Sequence, residues 1–270
     1  MSRVFSVGIS PCPNDTFVWG ALALGHIRVP FELEFFYEDI QTLNRAAREG
    51  RFDVVKLSFF QYALLPRRTY RLLSVGSALG YGVGPLLVAK SPLSPHELKW
   101  APIGIPGFGT TAYSLFRFYA PEAENFIEMR YDQLMPAVVR GDLRAAVIIH
   151  ESRFTYAQHG LICLEDLGAY WTAQTGYPIP LGGLAVKRNV PRLSLERALR
   201  RSLRLAWQGR WPELTSFVAA HAQELEPEVQ QAHIRLYVNA YTQALRGHGW
   251  AAVRYYLQWV RQHRSLFKYA

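Results

Sequence analysis

Short apolar runs alternate with amphipathic stretches through the first two thirds of the chain, and this pattern predicts strands linked by helices. Strand-length apolar runs fall at residues 4–9, 31–37, 54–57, 72–77 and 85–89. Helix-length stretches lie between them, such as 17–24 and 40–49, the latter closed by Gly50 as a carboxyl-terminal cap. A second series begins near Ser94, where Ser94-Pro95-His96-Glu97 has the form of a capping box with proline at the first helical position. Ile103-Gly104-Ile105 follows as a short strand, Gly107-Phe108-Gly109-Thr110-Thr111 as a turn, and residues 112–119 as a helix. Further strands are predicted at 126–130, 145–149 and 161–164. After Val190 the period is helical, with amphipathic stretches near 194–207, 213–223, 227–241 and 249–263. Short strands separated by helices predict an α/β fold with mostly parallel sheet.

Two internal echoes suggest how the pieces assemble. Glu49-Gly50-Arg51-Phe52-Asp53-Val54-Val55-Lys56-Leu57-Ser58 resembles Arg140-Gly141-Asp142-Leu143-Arg144-Ala145-Ala146-Val147-Ile148-Ile149-His150. Each is a helix stop, an apolar strand, then polar groups at the strand's carboxyl end. Gly84-Pro85-Leu86-Leu87-Val88-Ala89-Lys90 resembles Gly182-Gly183-Leu184-Ala185-Val186-Lys187. The second pair flanks the second βα series, as two crossings between domains would. The expected architecture is a large discontinuous α/β domain of residues 1–90 and 185–270, carrying the C-terminal helices. A small α/β domain of residues 91–184 is inserted in it, with a cleft between the two.

Composition narrows the function classes. At 270 residues, 50% hydrophobic and 19% charged, the chain can bury a large core and is not of disordered type. No apolar stretch reaches the roughly 18 residues of a membrane span, and the first residues lack a secretory leader's apolar run, so a cytoplasmic protein is expected. Cys12 and Cys163 form no CxxC pair, and the histidines show no metal-ligand spacing. The net charge of +9 is concentrated in 187–210 and 246–268, where Arg197, Arg200, Arg201 and Arg204 alternate with Leu195, Leu199, Leu203 and Leu205. That spacing describes the solvated face of amphipathic helices. With no nucleic-acid motif beside it, the expected partner is a small anionic molecule drawn by the positive field, not a nucleic acid.

Candidate chemistry gathers where strands end. Ser10-Pro11-Cys12-Pro13-Asn14-Asp15-Thr16-Phe17 joins a strand to a helix, with Asn14, Asp15 or Thr16 available to cap the helix start. Open α/β sheets place ligands at such strand ends. Asn14, Lys56 and Ser58 are candidates there, and Lys56 in an apolar strand fits either an anionic ligand or a salt bridge to Asp53 or Glu38. Thr110 and Thr111 open a helix beside glycines, where backbone N–H groups and hydroxyls can hold a carboxylate. His150, Glu151, Ser152 and Arg153 cap a strand. His150 reads either as an acid–base group titrating near neutrality or as a cap bonded to Glu151 or Tyr156.

Taken together, SPCPNDTF, Glu38-Asp39 with Thr42-Leu43-Asn44, Lys56-Leu57-Ser58, the glycines of Gly80-x-Gly82-x-Gly84-Pro85-Leu86, Thr110-Thr111-Ala112-Tyr113 and Ile148-Ile149-His150-Glu151-Ser152-Arg153-Phe154-Thr155-Tyr156 resemble the 1,4-dihydroxy-6-naphthoate synthases of the futalosine route to menaquinone. His221-Ala222-Gln223-Glu224-Leu225 and Tyr237-Val238-Asn239-Ala240-Tyr241 carry the resemblance into the tail. It implies a two-domain fold like that of periplasmic solute-binding proteins, used as a lyase. It further implies conversion of cyclic dehypoxanthine futalosine to the naphthoate with release of a three-carbon sugar fragment, without metal or other cofactor. His150 is the implied general base; Lys56, Leu57 and Ser58, with Thr110, Thr111 and Ala112, are implied ligand contacts, and Asn14 and Arg153 join them as candidates. Chorismate dehydratase of the same pathway and a non-catalytic solute-binding protein are the alternatives; the IIHESRFTY segment weighs against the first, and the candidate base against the second.

Overall fold

The chain opens with β1 (Val4–Ile9), α1 (Pro13–Ala23), β2 (Glu32–Tyr37), α2 (Ile40–Glu49), β3 (Val54–Ser58) and α3 (Phe59–Leu64). It continues with β4 (Arg71–Leu72), β5 (Ala78–Gly80), β6 (Leu86–Ala89), α4 (Pro95–Trp100), β7 (Ile103–Ile105) and α5 (Thr111–Tyr119). Next come β8 (Phe126–Glu128), α6 (Tyr131–Arg140), β9 (Ala145–Ile148), α7 (Ser152–Thr155), β10 (Ile162–Asp166), α8 (Leu167–Thr175) and β11 (Ile179–Val186). The tail holds α9 (Arg192–Trp207), α10 (Pro212–His221), α11 (Pro227–Tyr237), α12 (Ala240–Gln243) and α13 (His248–Gln262). This computed structural model describes residues 3–209, 211–222 and 226–267. Arg210, Lys268 and the segment 223–225, which entered the sequence patterns above, lie outside the described residues.

Local chemistry sets most helix ends. Asp39 accepts from the N–H groups of Gln41 and Thr42 to start α2, and Gly50 stops it at φ 66°. Ser94 and Glu97 complete the capping box of α4 with Pro95 at its first position. In α9 Leu195, Leu199 and Leu203 are buried while Arg197, Arg201 and Arg204 face solvent, as the spacing predicts. Arg200 differs: its guanidinium reaches Ser74 Oγ at 2.6 Å and Glu196 at 3.7 Å. Helix α1 starts at Pro13, four residues earlier than expected, because proline's fixed φ suits the first helical position. Asn14, Asp15 and Thr16 therefore sit inside its first turn, and no side chain caps it at Cys12. The strand expected at 72–77 is cut to Arg71–Leu72, since Gly76 turns the chain at φ 81°. The N–H of Gly76 goes to Thr242, and the carbonyl of Ser74 takes the N–H of Leu245, so this backbone bonds to the tail instead of a sheet.

The two sheets share one plan. One runs β2-β1-β3-β11-β4, with β5 also on β11; the other runs β10-β6-β9-β7-β8. In the first, β2, β1 and β3 are parallel and β11 joins β3 antiparallel; in the second, β8, β7 and β9 are parallel and β6 joins β9 antiparallel. Each echoed pair thus occupies equivalent places: β3 with β9, and β11 with β6. The packing repeats too. A Cβ on Gly8 of β1 would lie 2.5 Å from Phe52 and 3.0 Å from Leu43; one on Gly104 of β7 would lie 2.5 Å from Leu143 and 2.8 Å from Leu134. Phe52 and Leu143 are matched positions of the echo, so each central strand is kept bare for a side chain from the same place in its own repeat.

The first unit holds the chain up to Ser58, Leu65–Leu79 and Gly182–Trp250; the second holds Phe59–Leu64, Gly80–Leu181 and the chain from Ala251 on. The first has a core built on Phe5, Val7, Val18, Trp19, Val54, Leu184 and Leu199. The second has one around Val88, Leu134, Val138, Leu143 and Ile148. The expected boundaries kept the whole helical tail with the first domain, and here the structure differs. Trp171 stacks edge-on against Tyr256 and Trp259 at 5.4 and 5.5 Å, Phe118 meets Trp259 at 5.2 Å, and Phe60 meets Phe267 at 4.7 Å. That aromatic stripe holds residues 251–267, and α3, within the second unit. No helix among the described residues is long and apolar enough to cross a membrane.

Candidate functional site

Polar groups collect at the carboxyl ends of the parallel strands in each unit. In the first unit, Lys56 of β3 is 4% exposed and Asp15 of α1 is 3% exposed. The Lys56 ammonium lies 2.5 Å from Asp15 Oδ1 and donates to the Gly76 carbonyl at 3.3 Å. The salt bridge weighed for Lys56 therefore exists with a different partner, since Asp53 is taken by Lys187 and Ser6. Burial pushes the Asp15 carboxyl above its ordinary value, against the downward pull of Lys56. Asn14 is half-buried; its Nδ2 donates to Asp15 Oδ1 at 2.9 Å and its Oδ1 lies 2.9 Å from His233 Nε2. Ser58 is fixed by Asn44 of α2, which accepts from its N–H at 2.9 Å and donates to its hydroxyl at 3.1 Å. Leu57 is fully buried and paired with Gly183 of β11.

In the second unit, Thr110 caps α5 by accepting from Tyr113 N–H, and its hydroxyl donates to the Gly107 carbonyl at 2.6 Å. The Thr111 hydroxyl donates to the Leu181 carbonyl at 2.7 Å and accepts from Phe60 N–H at 3.3 Å. Both hydroxyls are thus engaged inside the fold. What this turn offers an anion is the set of first-turn amides of α5, Thr111 and Ala112 among them, which lack intrahelical partners. Arg153 donates to the Gly84 carbonyl and to Asp166 Oδ2 at 2.9 Å, and Asp166 in turn caps α8 through the N–H groups of Gly168 and Ala169.

His150 follows β9 as a half-buried residue. Its φ of 58° makes it the one non-glycine residue with positive φ among the described residues. That left-handed conformation costs about 1–3 kcal/mol, and such residues concentrate at functional sites. Its ring meets Tyr131 edge-on at 4.8 Å. A half-buried imidazole on a strained turn at a strand's end is placed to take or give a proton. Sequence reasoning offered Asp15 only as a helix cap and Asn44 only as part of a motif, and it did not reach His233. For Asp15 there was a partial signal: a buried-strand lysine needs an anion, and Asp15, in the first turn of the first helix, is one of the acids that could supply it.

The menaquinone-biosynthesis family matches residues 5–262. A protein of Thermus thermophilus named "1,4-dihydroxy-6-naphtoate synthase" is 45% identical over 241 residues, 87% of this chain and 86% of that one. A protein of the same name from Streptomyces coelicolor is 40% identical over 259 residues, 92% of this chain and 89% of that one. Among solved structures, the alkanesulfonate-binding protein SsuA of Xanthomonas axonopodis pv. citri, bound to MOPS, superposes with a TM-score of 0.72 at 15% identity, covering 98% of this chain and 95% of that one. That likeness shows the fold expected from the sequence, the periplasmic-binding-protein-like pair of sheet-and-helix domains. With the match running nearly end to end and both relatives named as synthases, the chain belongs to the menaquinone-biosynthesis family.

Proposed function

We propose that this protein is a 1,4-dihydroxy-6-naphthoate synthase, a carbon–carbon lyase that takes cyclic dehypoxanthine futalosine to the naphthoate and releases a three-carbon sugar fragment. The names of its relatives support the product. The observation that carries the mechanism is the left-handed backbone of His150. Neutral imidazole removes a proton beside a substrate carbonyl, and the electrons released flow toward ring opening and aromatisation. The reaction needs no net oxidant, because the electrons stay within the substrate. The substrate carboxylate is assigned to the first-turn amides of α5, and Asn14 and Lys56 are assigned as polar contacts.

General-base catalysis contributes about 10²–10⁴-fold, so a folded His150→Ala variant should lose at least about two orders of magnitude in kcat. Its wild-type parent should turn over cyclic dehypoxanthine futalosine with a naphthoate product seen by fluorescence and mass. Retention of more than about a tenth of wild-type turnover by His150→Ala would assign the base elsewhere. The likeness to SsuA supports a second reading, a solute-binding protein, and binding of the substrate without turnover is the result that would favour it.

A further inference from the structure

His233 lies on α11, far along the chain from the strand-end motifs, and is 1% exposed. Its Nε2 is 2.9 Å from Asn14 Oδ1, and its ring packs on Tyr237 at 4.5 Å. The direction of every hydrogen bond here follows from Asp15. Its carboxylate takes the Lys56 ammonium and lies 2.9 Å from the Asn14 amide, so the atom of Asn14 facing it must be the donor, Nδ2. The other end of the amide is then the carbonyl oxygen, which only accepts, and His233 must present Nε2–H to it. His233, Asn14, Asp15 and Lys56 form one directed chain, with the orientation of the Asn14 amide held from both ends.

We infer that His233 is a positioning residue that fixes Asn14 as a hydrogen-bond donor to the ligand. Nδ2 carries two hydrogens, and Asp15 takes one of them. Among the described residues the second has no partner, and Asn14 is half-buried, so this N–H is the group Asn14 offers. A flipped amide would offer a carbonyl oxygen instead and repel an anion. The ligand group that fits is an oxygen acceptor: a carboxylate, a carbonyl or an ether or hydroxyl oxygen. This role rests on the proposed assignment of Asn14 as a substrate contact.

His233→Ala, His233→Gln and Asn14→Ala, alone and combined, test it by steady-state kinetics with cyclic dehypoxanthine futalosine. One misaligned neutral hydrogen bond changes binding by about threefold to tenfold. His233→Ala should therefore raise KM by about that factor with kcat nearly constant. The glutamine variant can donate from its own Nε2–H and should recover most of the loss. Asn14→Ala should match His233→Ala, and the double variant should add little to either. An unchanged KM in His233→Ala, a glutamine variant no better than alanine, or additive losses in the double variant would overturn the assignment. Histidine-selective ¹⁵N NMR reads the lock without turnover: His233 should be the Nε2–H tautomer, and Asn14→Ala should abolish that preference. A wild-type protein that neither binds nor converts this substrate removes the proposed function and this role with it. A His233 found as the Nδ1–H tautomer removes the inference alone.

Discussion

Replacing Lys56 by methionine keeps most of the apolar stem of the side chain, one atom shorter, and deletes its charge. The ammonium and the Asp15 carboxylate are each about 5% exposed as side chains and 2.5 Å apart, so solvent does little to screen either. Removing one partner of such a buried pair strands the other charge and costs about 3–5 kcal/mol. At about 2–4 °C per kcal/mol for a chain of this size class, the melting temperature should drop by roughly 6–20 °C. The loss should also depend on pH. Burial already raises the Asp15 carboxyl above its ordinary 3.8, and a carboxyl raised on folding contributes stability that is complete below that value and lost as pH rises through its folded value. Without Lys56 the downward pull disappears and the folded value climbs further. The deficit of Lys56→Met should thus be larger near neutrality than at acid pH, where Asp15 folds protonated and no bare charge is left behind. Chemical denaturation of both proteins across that range measures it. A deficit below about 1 kcal/mol, or one that does not change with pH, would refute the account of a stranded buried carboxylate.

Gly84→Ala should destabilise the second unit by about 1–3 kcal/mol or more, because the new Cβ would lie 2.2 Å from the backbone nitrogen of Gly168; hydrogen exchange at α8 should quicken, and unchanged protection would show that the two backbones can part freely. Tyr70, pushed up to about 12 by burial and then by Asp53, and Tyr256, raised by burial, should stay protonated past the ordinary 10.0. Their contribution is complete below that value and lost as pH rises through the folded ones, so ultraviolet titration should show these two phenols ionising only with unfolding. All tyrosines ionising reversibly near 10 with the fold intact would contradict it.

Where the sequence was legible, a local rule and the global fold agreed. Gly50 and Gly141 both close helices in the left-handed conformation, Ser94 with Glu97 makes its capping box, and the echo between 49–58 and 140–150 marks strands with the same neighbours in two sheets. The motifs also carried the family. What stayed hidden depended on contacts distant in sequence. Nothing near Lys56 selects Asp15 over Asp53, which lies three residues away; only the packing of α1 on the sheet does. Nothing in the period of α13 says which unit its Tyr256 and Trp259 will meet, because an aromatic stripe looks alike whichever core receives it. His233 reads as one more residue on the apolar side of a tail helix until Asn14 is found against it.

The place of β11 has a consequence for the newly made chain. Strand β3 ends at Ser58, yet its antiparallel neighbour ends only at Val186, roughly 130 residues later. At about 5–20 residues per second, a ribosome needs roughly 6–25 s to make that stretch. For that interval β3 stands at the margin of a half-built three-stranded sheet, its free N–H and C=O groups ready to pair with another molecule. Its sequence, Val54-Val55-Lys56-Leu57-Ser58, is apolar but for one cation in the middle. Until α1 packs down on the sheet, that lysine puts a charge in the middle of a nascent edge, which disfavours pairing with its copies, and the same side chain then becomes half of the buried pair.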